Sequence, residues 1–247
     1  MKIVDAIWEK RNLGVDTVEI TIEEHDPETE VTAAINALDA QYAVVRVPAV
    51  RADLIFPVQQ KGFVFAEEMV HLVSDLSEIS LAPVEKRLWD AVECQRMTDD
   101  DIAELRSEIR KGLFSTDRIY LDPAFSKELA AERYVNWIDD ELARGGFLVK
   151  YVYKGRTAGF FSLRDTGNGD YTSALGGMFS DFRKGGLVTA ISGKVPEFVK
   201  ELGGRSVDAH VSTNNPVQIK NLLRNGYKLM SINHIFTRHS PSVSEGV

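Results

Sequence analysis

The sequence predicts an α/β protein, a mixed sheet with helices on its faces. Three observations predict it. Strand and helix signals alternate along the chain. Residues 97–239 run in the order α-α-β-β-β-α-β-α-β. The length of 247 residues, 44% of them apolar, allows one large domain or two small ones with a sizeable core.

The first strand signal is TVEITIE at 17–23, where Val18, Ile20 and Ile22 alternate with polar residues. ETEVTAAINALDA at 28–40 has helical spacing at Val31, Ile35 and Leu38. YAVVRVP at 42–48 is a β-branched run stopped by Pro48. Residues 52–60 predict a short helix, and KGFVFAEEMVHLVSDL a strand after Gly62. These make a first unit of residues 1–78. Residues 79–96 carry Pro83 and mixed charge and read as a linker.

The second unit, 97–239, opens with MTDDDIAELRSEIRKGLF. Thr98 and Asp101 form a capping-box pattern, and Ile102, Leu105 and Ile109 make an apolar stripe. SKELAAERYVNWIDDELARGG is a second helix, capped by Ser126 and ended at Gly145 and Gly146. Strands follow at 147–153, 156–164 and 171–179, the last two joined by a TGNGD hairpin turn. A helix is expected at 187–202, a strand at 205–212, and a helix at 216–226 with Pro216 in its first turn. YKLMSINHIFTRH at 227–239 closes with one or two strands, and 240–247 is a tail.

The net charge of −8 argues against non-specific binding to nucleic acid or an anionic membrane. A single cysteine, Cys94, excludes an intrachain disulfide and a Cys-based zinc site, and reads as structural. No stretch reaches the apolar length of a membrane span, and the first residues lack the apolar core of a signal peptide. Cytoplasm is the expected location. No His/Glu cluster has metal-ligand spacing along the chain, so no metal is expected.

The stretch SDFRKGGLVTA, 180–190, places two cations and two glycines between a strand and a helix. Helix starts expose unpaired N–H groups and the positive dipole end, and glycine lets backbone approach a ligand. Arg183, Lys184, Gly185, Gly186, Leu187, Val188 and Thr189 therefore read as an anion site, for a phosphate or pyrophosphate. An ordinary tight turn with solvated cations uses the same residues. The spacing is neither that of a P-loop nor that of a dinucleotide fingerprint.

Arg183 to Val188 resembles the [QR]-x-x-G-x-[GA] turn of the GNAT acyltransferases, with Arg183 and Gly186 in register and Val188 departing. Downstream, Asn215 to Tyr227 resembles that family's N-x-x-A-x-x-L-Y-x-x-x-G-[FY] segment. Asn215, Gly226 and Tyr227 fit; Gln218 and Asn221 depart; Leu222 stands where a tyrosine usually protonates the leaving thiolate. The first unit resembles the half-GNAT domain that precedes the catalytic domain in dTDP-fucosamine acetyltransferases.

The resemblance implies a GNAT-like mixed sheet preceded by a truncated GNAT-like domain, and acetyl-CoA as co-substrate. The turn at 183–189 would cradle its pyrophosphate. Backbone near Gly177, Met178 and Phe179 would polarise the thioester carbonyl, with Asn214 and Asn215 near the pantetheine. His210 or Tyr171 would accept the amine proton. Arg118, Tyr120 and Tyr134 would hold the acceptor, a nucleotide-linked amino sugar. A peptide, polyamine or antibiotic amine stays open, as do a homodimer and a non-catalytic acyl-CoA sensor.

Overall fold

A computed structural model describes residues 1–183 and 187–240, and the backbone alone at Thr189 and Ala190. Its elements are β1 (Lys2–Asp5), α1 (Ile7–Leu13), β2 (Thr17–Thr21), α2 (Glu28–Asn36), β3 (Tyr42–Pro48), α3 (Ile55–Gln60) and β4 (Val64–Ser74). Then come α4 (Pro83–Asp90), β5 (Val92–Arg96), α5 (Asp99–Arg110), α6 (Arg118–Leu121), α7 (Lys127–Ala143), β6 (Phe147–Tyr153), β7 (Arg156–Gly167), β8 (Asp170–Thr172) and β9 (Gly176–Met178). The chain ends with α8 (Leu187–Ile191), α9 (Lys194–Glu201), β10 (Ser206–Ser212), α10 (Pro216–Arg224) and β11 (Lys228–His239). No described helix is long and apolar enough to cross a membrane.

The expected α/β class is what the structure shows. The strands form one mixed sheet in the order β1-β2-β3-β11-β4-β10-β8-β7-β6-β5, with β9 on β7. The two halves interleave. The last strand, β11, runs antiparallel between β3 and β4, and β4 in turn lies between β11 and β10. Both are long strands whose β-branched and aromatic residues suit a central position.

Alternation along the strands sends side chains to two faces. Val70 and Leu72 of β4 and Val207 and Ala209 of β10 pack against Leu187, Val195, Val199 and Leu222 of α8, α9 and α10. On the same face, Val45 and Phe236 meet Val31 and Ile35 of α2. The opposite face carries α1, α5, α6 and α7. There Leu148 and Phe160 meet Leu105, Ile109 and Ile138, while Tyr42 and Ile235 meet Leu13, Ile119 and Ala130. Helix α7 thus spans both halves.

Three local expectations change. The stretch read as a linker contains α4 and β5, and β5 pairs along its length with β6. The helix expected at 187–202 breaks at Ser192–Gly193. Pro196 explains the break: lacking an N–H, it cannot bond the Ser192 carbonyl, and it is tolerated only in the first turn of a new helix. The break also lets two elements touch. A Cβ on Gly193 would lie 2.4 Å from the Trp89 ring and 2.7 Å from Asn225 Oδ1. Gly193→Ala is therefore expected to destabilise by about 1–3 kcal/mol through overpacking, read as a lowered midpoint in urea unfolding.

The third change is the strand expected at 171–179. It is interrupted. The β7–β8 hairpin closes on Asn168 (φ 57°) and Gly169 (φ 81°), the two-residue turn that both left-handed conformations allow. Beyond Thr172, residues 162–163 of β7 face residues 173–175, one extra residue, before β9 resumes at Gly176↔Phe161. This is a bulge. Buried Ser162 fixes it: its N–H donates to Leu175 O at 2.7 Å, and its Oγ accepts from Leu175 N at 2.9 Å.

Candidate active site

The bulge parts two strands. Parallel β10 pairs with β8 from Ser206↔Asp170 to Asp208↔Thr172, and Ser173 N–H gives Asp208 O a last bond at 2.9 Å. From there, among the described residues, β10 pairs only with β4, and β9 only with β7. A gap opens between β9 and residues 209–212. Phe179 N–H donates to Ala158 O of β7 at 2.9 Å. Antiparallel alternation then turns the N–H groups of Gly176 and Met178 to the opposite edge, into the gap. The Met178 carbonyl accepts from Arg183 Nε at 3.2 Å, and Arg183 Nη2 reaches Leu113 O at 3.0 Å. Met178 N–H is left aimed at whatever enters.

Helix α8 begins one turn beyond Arg183. Lys184, Gly185 and Gly186 lie outside the described residues, as does the side chain of Thr189. Leu187 is buried and Val188 half-buried, both in the core under α8. On the far side of β10, Asn215 caps α10, its Oδ1 accepting from Gln218 N at 3.2 Å, with Pro216 next. Asn214 N–H donates to Ser212 Oγ at 3.2 Å. A groove of about 640 Å³ runs along α10, lined by Thr213, Pro216, Ile219, Lys220, Leu223 and Arg224.

The gap opens, on the other face, above a polar floor. Val207 and Ala209 belong to the face covered by α8, α9 and α10, so Asp208, His210 and Ser212 point the other way. Cross-strand partners extend the row: Ser212↔Met69, His210↔His71 and Asp208↔Val73. Glu67 shares that face, two residues before Met69, and so does Arg46 on β3 through Arg46↔Ile235↔Glu67. Arg46, Glu67 and His71 come from the first half of the chain.

Glu67 is 1% exposed, and neither of its carboxyl oxygens has a hydrogen-bond partner. Its nearest cation, Arg118 Nη1, is 3.9 Å away, and the Ser212 hydroxyl lies alongside. Burial pushes its pKa above the usual carboxylate value; Arg118, Ser212 and Arg46 pull it down, and Asp117 pushes with burial. His210, half-exposed, is lowered instead, by partial desolvation first and then by the neighbouring His71 ring, against the pull of Asp208.

No family model matches this sequence, and no curated protein matches it. Solved structures do. A GCN5-related N-acetyltransferase from Sphaerobacter thermophilus aligns over 100% of this chain and 77% of its own, at TM-score 0.64 and 12% identity. A tandem GNAT protein from the clavulanic acid biosynthesis pathway aligns over 90% of this chain and 75% of its own, at TM-score 0.56 and 14% identity. A GCN5-related N-acetyltransferase from Kribbella flavida covers 93% of this chain and 84% of its own, at TM-score 0.51 and 12% identity. The chain has the GNAT fold.

Within that fold the expected site residues divide. The backbone near Met178 and Phe179, together with Arg183, borders the gap, whereas Asn214 and Asn215 lie past the end of β10, at the start of α10. His210 stands on the floor. Tyr171 does not belong there: it pairs with Val207 at the closed end, and its ring lies against Gly204 beyond α9. Leu222 is buried in the core, so its position presents no acid to a leaving group.

The acceptor residues fare differently. Arg118 is 7% exposed, with Nη2 on Glu9 Oε1 at 3.2 Å and Glu19 Oε1 at 3.1 Å. A buried guanidinium must be paired, and carboxylates from the first half already pair this one, so it is not a phosphate ligand. Tyr134 is a core residue: its OH donates to Asp117 Oδ2 at 2.8 Å, and its ring stacks on Phe114 at 4.3 Å. Tyr120 is half-exposed under Lys127, 4.2 Å above its ring. Glu67 and His71 escaped sequence reading because only strand pairing brings them to the floor. The signal available was a run of strand residues carrying unexpected charge, FAEEMVH.

Proposed function

We propose that this GNAT-fold chain is an acyl-CoA-dependent N-acyltransferase, working by direct attack of an amine on the thioester in a ternary complex. The observation that carries this is the interrupted strand, whose Met178 N–H points away from β7 to the edge where β9 and β10 do not pair. A donor fixed there stabilises the oxyanion as the carbonyl becomes tetrahedral. The gap itself holds amine and thioester together.

Acetyl-CoA would supply the acyl group. Its thioester would lie under Met178 N–H, with Arg183 and the turn after it toward the pyrophosphate. The amine attacks from the polar floor: a C–N bond forms, the C–S bond breaks, and the thiol departs as thiolate. A thiolate is a good enough leaving group to depart without the tyrosine usual at position 222, and it takes up its proton from solvent afterwards. The amine proton passes to Glu67, by way of the Ser212 hydroxyl.

A nucleotide-linked amino sugar is the acceptor favoured by the likeness of the first half to dTDP-fucosamine acetyltransferases. A glucosamine N-acetyltransferase region of a fungal multi-domain GH3 β-N-acetylglucosaminidase shares the fold at TM-score 0.55 and 14% identity, over 78% of this chain and 25% of its own. Buried Leu222 favours a second reading, an acyl-CoA sensor.

Thiol release from acetyl-CoA, measured against amino-sugar nucleotides, free glucosamine, polyamines and peptides, tests the proposal. Turnover with an amino-sugar nucleotide is expected. Replacing the residue-178 amide by an ester, which removes only the N–H, is expected to lower kcat by about 10²–10³ with acetyl-CoA affinity kept. Tight acetyl-CoA binding without thiol release for any amine would leave the sensor. No binding would end both readings.

A further inference from the structure

We propose that His71, Asp208 and His210 form a binding site for a divalent transition-metal cation of the Zn²⁺ class, independent of the acyl-transfer reading. Asp-x-His on β10 puts two ligands on one face of one strand, and β4 sets His71 directly across from His210. One atom, Asp208 Oδ2, is shared: His71 Nε2 is 3.4 Å from it and His210 Nδ1 3.5 Å. These separations are too long for good hydrogen bonds. They are the spacing of two ligands on one metal: bonds of about 2.0–2.2 Å at a tetrahedral angle set donor atoms roughly 3.3–3.5 Å apart.

All three donor atoms lie within 4.8 Å of one another. The imidazoles stack 4.4 Å apart and 3° from parallel, so their ring planes do not meet, and a shared metal requires one ring to turn out of the stack. His210 has room for that turn, because its side chain is 54% exposed. The same exposure leaves a fourth coordination position open to water. Two imidazoles and one carboxylate suit Zn²⁺, Co²⁺ or Ni²⁺ and disfavour Mg²⁺ and Ca²⁺, which require oxygen ligands. Arg46 is the cation facing this cluster from β3, close enough to bear on His210, and it moderates the affinity.

The test uses the full chain, stripped with a chelator and titrated with Zn²⁺ by calorimetry and with Co²⁺ by visible absorption. One equivalent is expected to bind, with the intense d–d bands of a low-symmetry Co²⁺ site. His71→Ala, His210→Ala and Asp208→Asn are each expected to weaken binding about 100-fold or more. His25→Ala, remote in the loop before α2, is expected to change nothing. Zn²⁺ is expected to raise the unfolding temperature of the parent chain and not of His210→Ala, which keeps an exposed position and therefore the fold. Sub-stoichiometric binding, or binding that survives both histidine variants, overturns the site.

Discussion

Glu9→Ala is expected to destabilise the protein by about 3–5 kcal/mol, more than any other single loss of an ion pair among the described residues. Glu9 is 1% exposed and accepts from Arg133 Nε at 2.7 Å, Arg133 Nη2 at 2.5 Å and Arg118 Nη2 at 3.2 Å. Removing it leaves two buried guanidinium groups side by side. Arg118 keeps Glu19, but among the described residues no other carboxylate is hydrogen-bonded to Arg133, which lies over Trp137 at 5.3 Å. The pair also joins α1 to α7, so its loss acts on the packing of the two halves. Urea unfolding measures the effect. Arg106→Ala, which breaks an exposed pair with Asp139, is the control and is expected to cost no more than about 1 kcal/mol.

The pH dependence fixes the sign. Burial pushes the Glu9 carboxyl up, but the hydrogen bond and charge of Arg133, then Arg118 and Asn12, hold it below its ordinary value. A lowered folded pKa contributes stability that is present above the ordinary carboxylate range and lost as pH falls through the folded value. The gap between the parent chain and Glu9→Gln is therefore expected to narrow in acid.

The parts of this fold that were legible are the locally determined ones. The Asn168-Gly169 hairpin is written in two residues. The caps at Thr98, with Asp101 Oδ2 accepting from Thr98 N at 2.8 Å, and at Ser126, accepting from Leu129 N at 3.1 Å, are written in four. The backbone near Met178 was an expectation from the resemblance to the GNAT family, with which the paired Gly176 and Gly177 agree. What stayed hidden depends on partners far along the chain. Arg118 looked like a free cation in a loop, while its carboxylate Glu9 lies 109 residues away. Glu67 and His71 looked like ordinary positions of a strand in a separate unit, because nothing local says that β4 will sit between β10 and β11. Pro196 is the exception: its meaning was local, and an apolar stripe running through it masked the break between α8 and α9.

Glu67→Gln is expected to lower kcat with an accepted amine by about 10²–10⁴ while leaving the protein as stable or more stable at neutral pH. The two effects have one cause. Burial raises the Glu67 pKa, and the groups facing it divide: Arg118, Arg46 and Ser212 favour the carboxylate, and Asp117 opposes it. The folded chain therefore holds a proton that the unfolded chain releases, and stability falls as pH rises from the ordinary carboxylate value through the folded one. Glutamine removes that slope, so the variant gains on the parent chain across this window and matches it below. The same raised pKa makes the Glu67 carboxylate a stronger base toward the attacking amine. In the parent chain kcat/KM is expected to rise with pH through the Glu67 ionisation, and in Glu67→Gln that limb is expected to vanish while acetyl-CoA affinity stays unchanged. Loss of the pH limb without the stability gain would place Glu67 in substrate binding, and a stability gain with full activity would move the proton acceptor elsewhere on the floor. A merely structural Glu67 would move neither the limb nor the rate, because its place beneath Ser212 touches the chemistry only through the proton it carries.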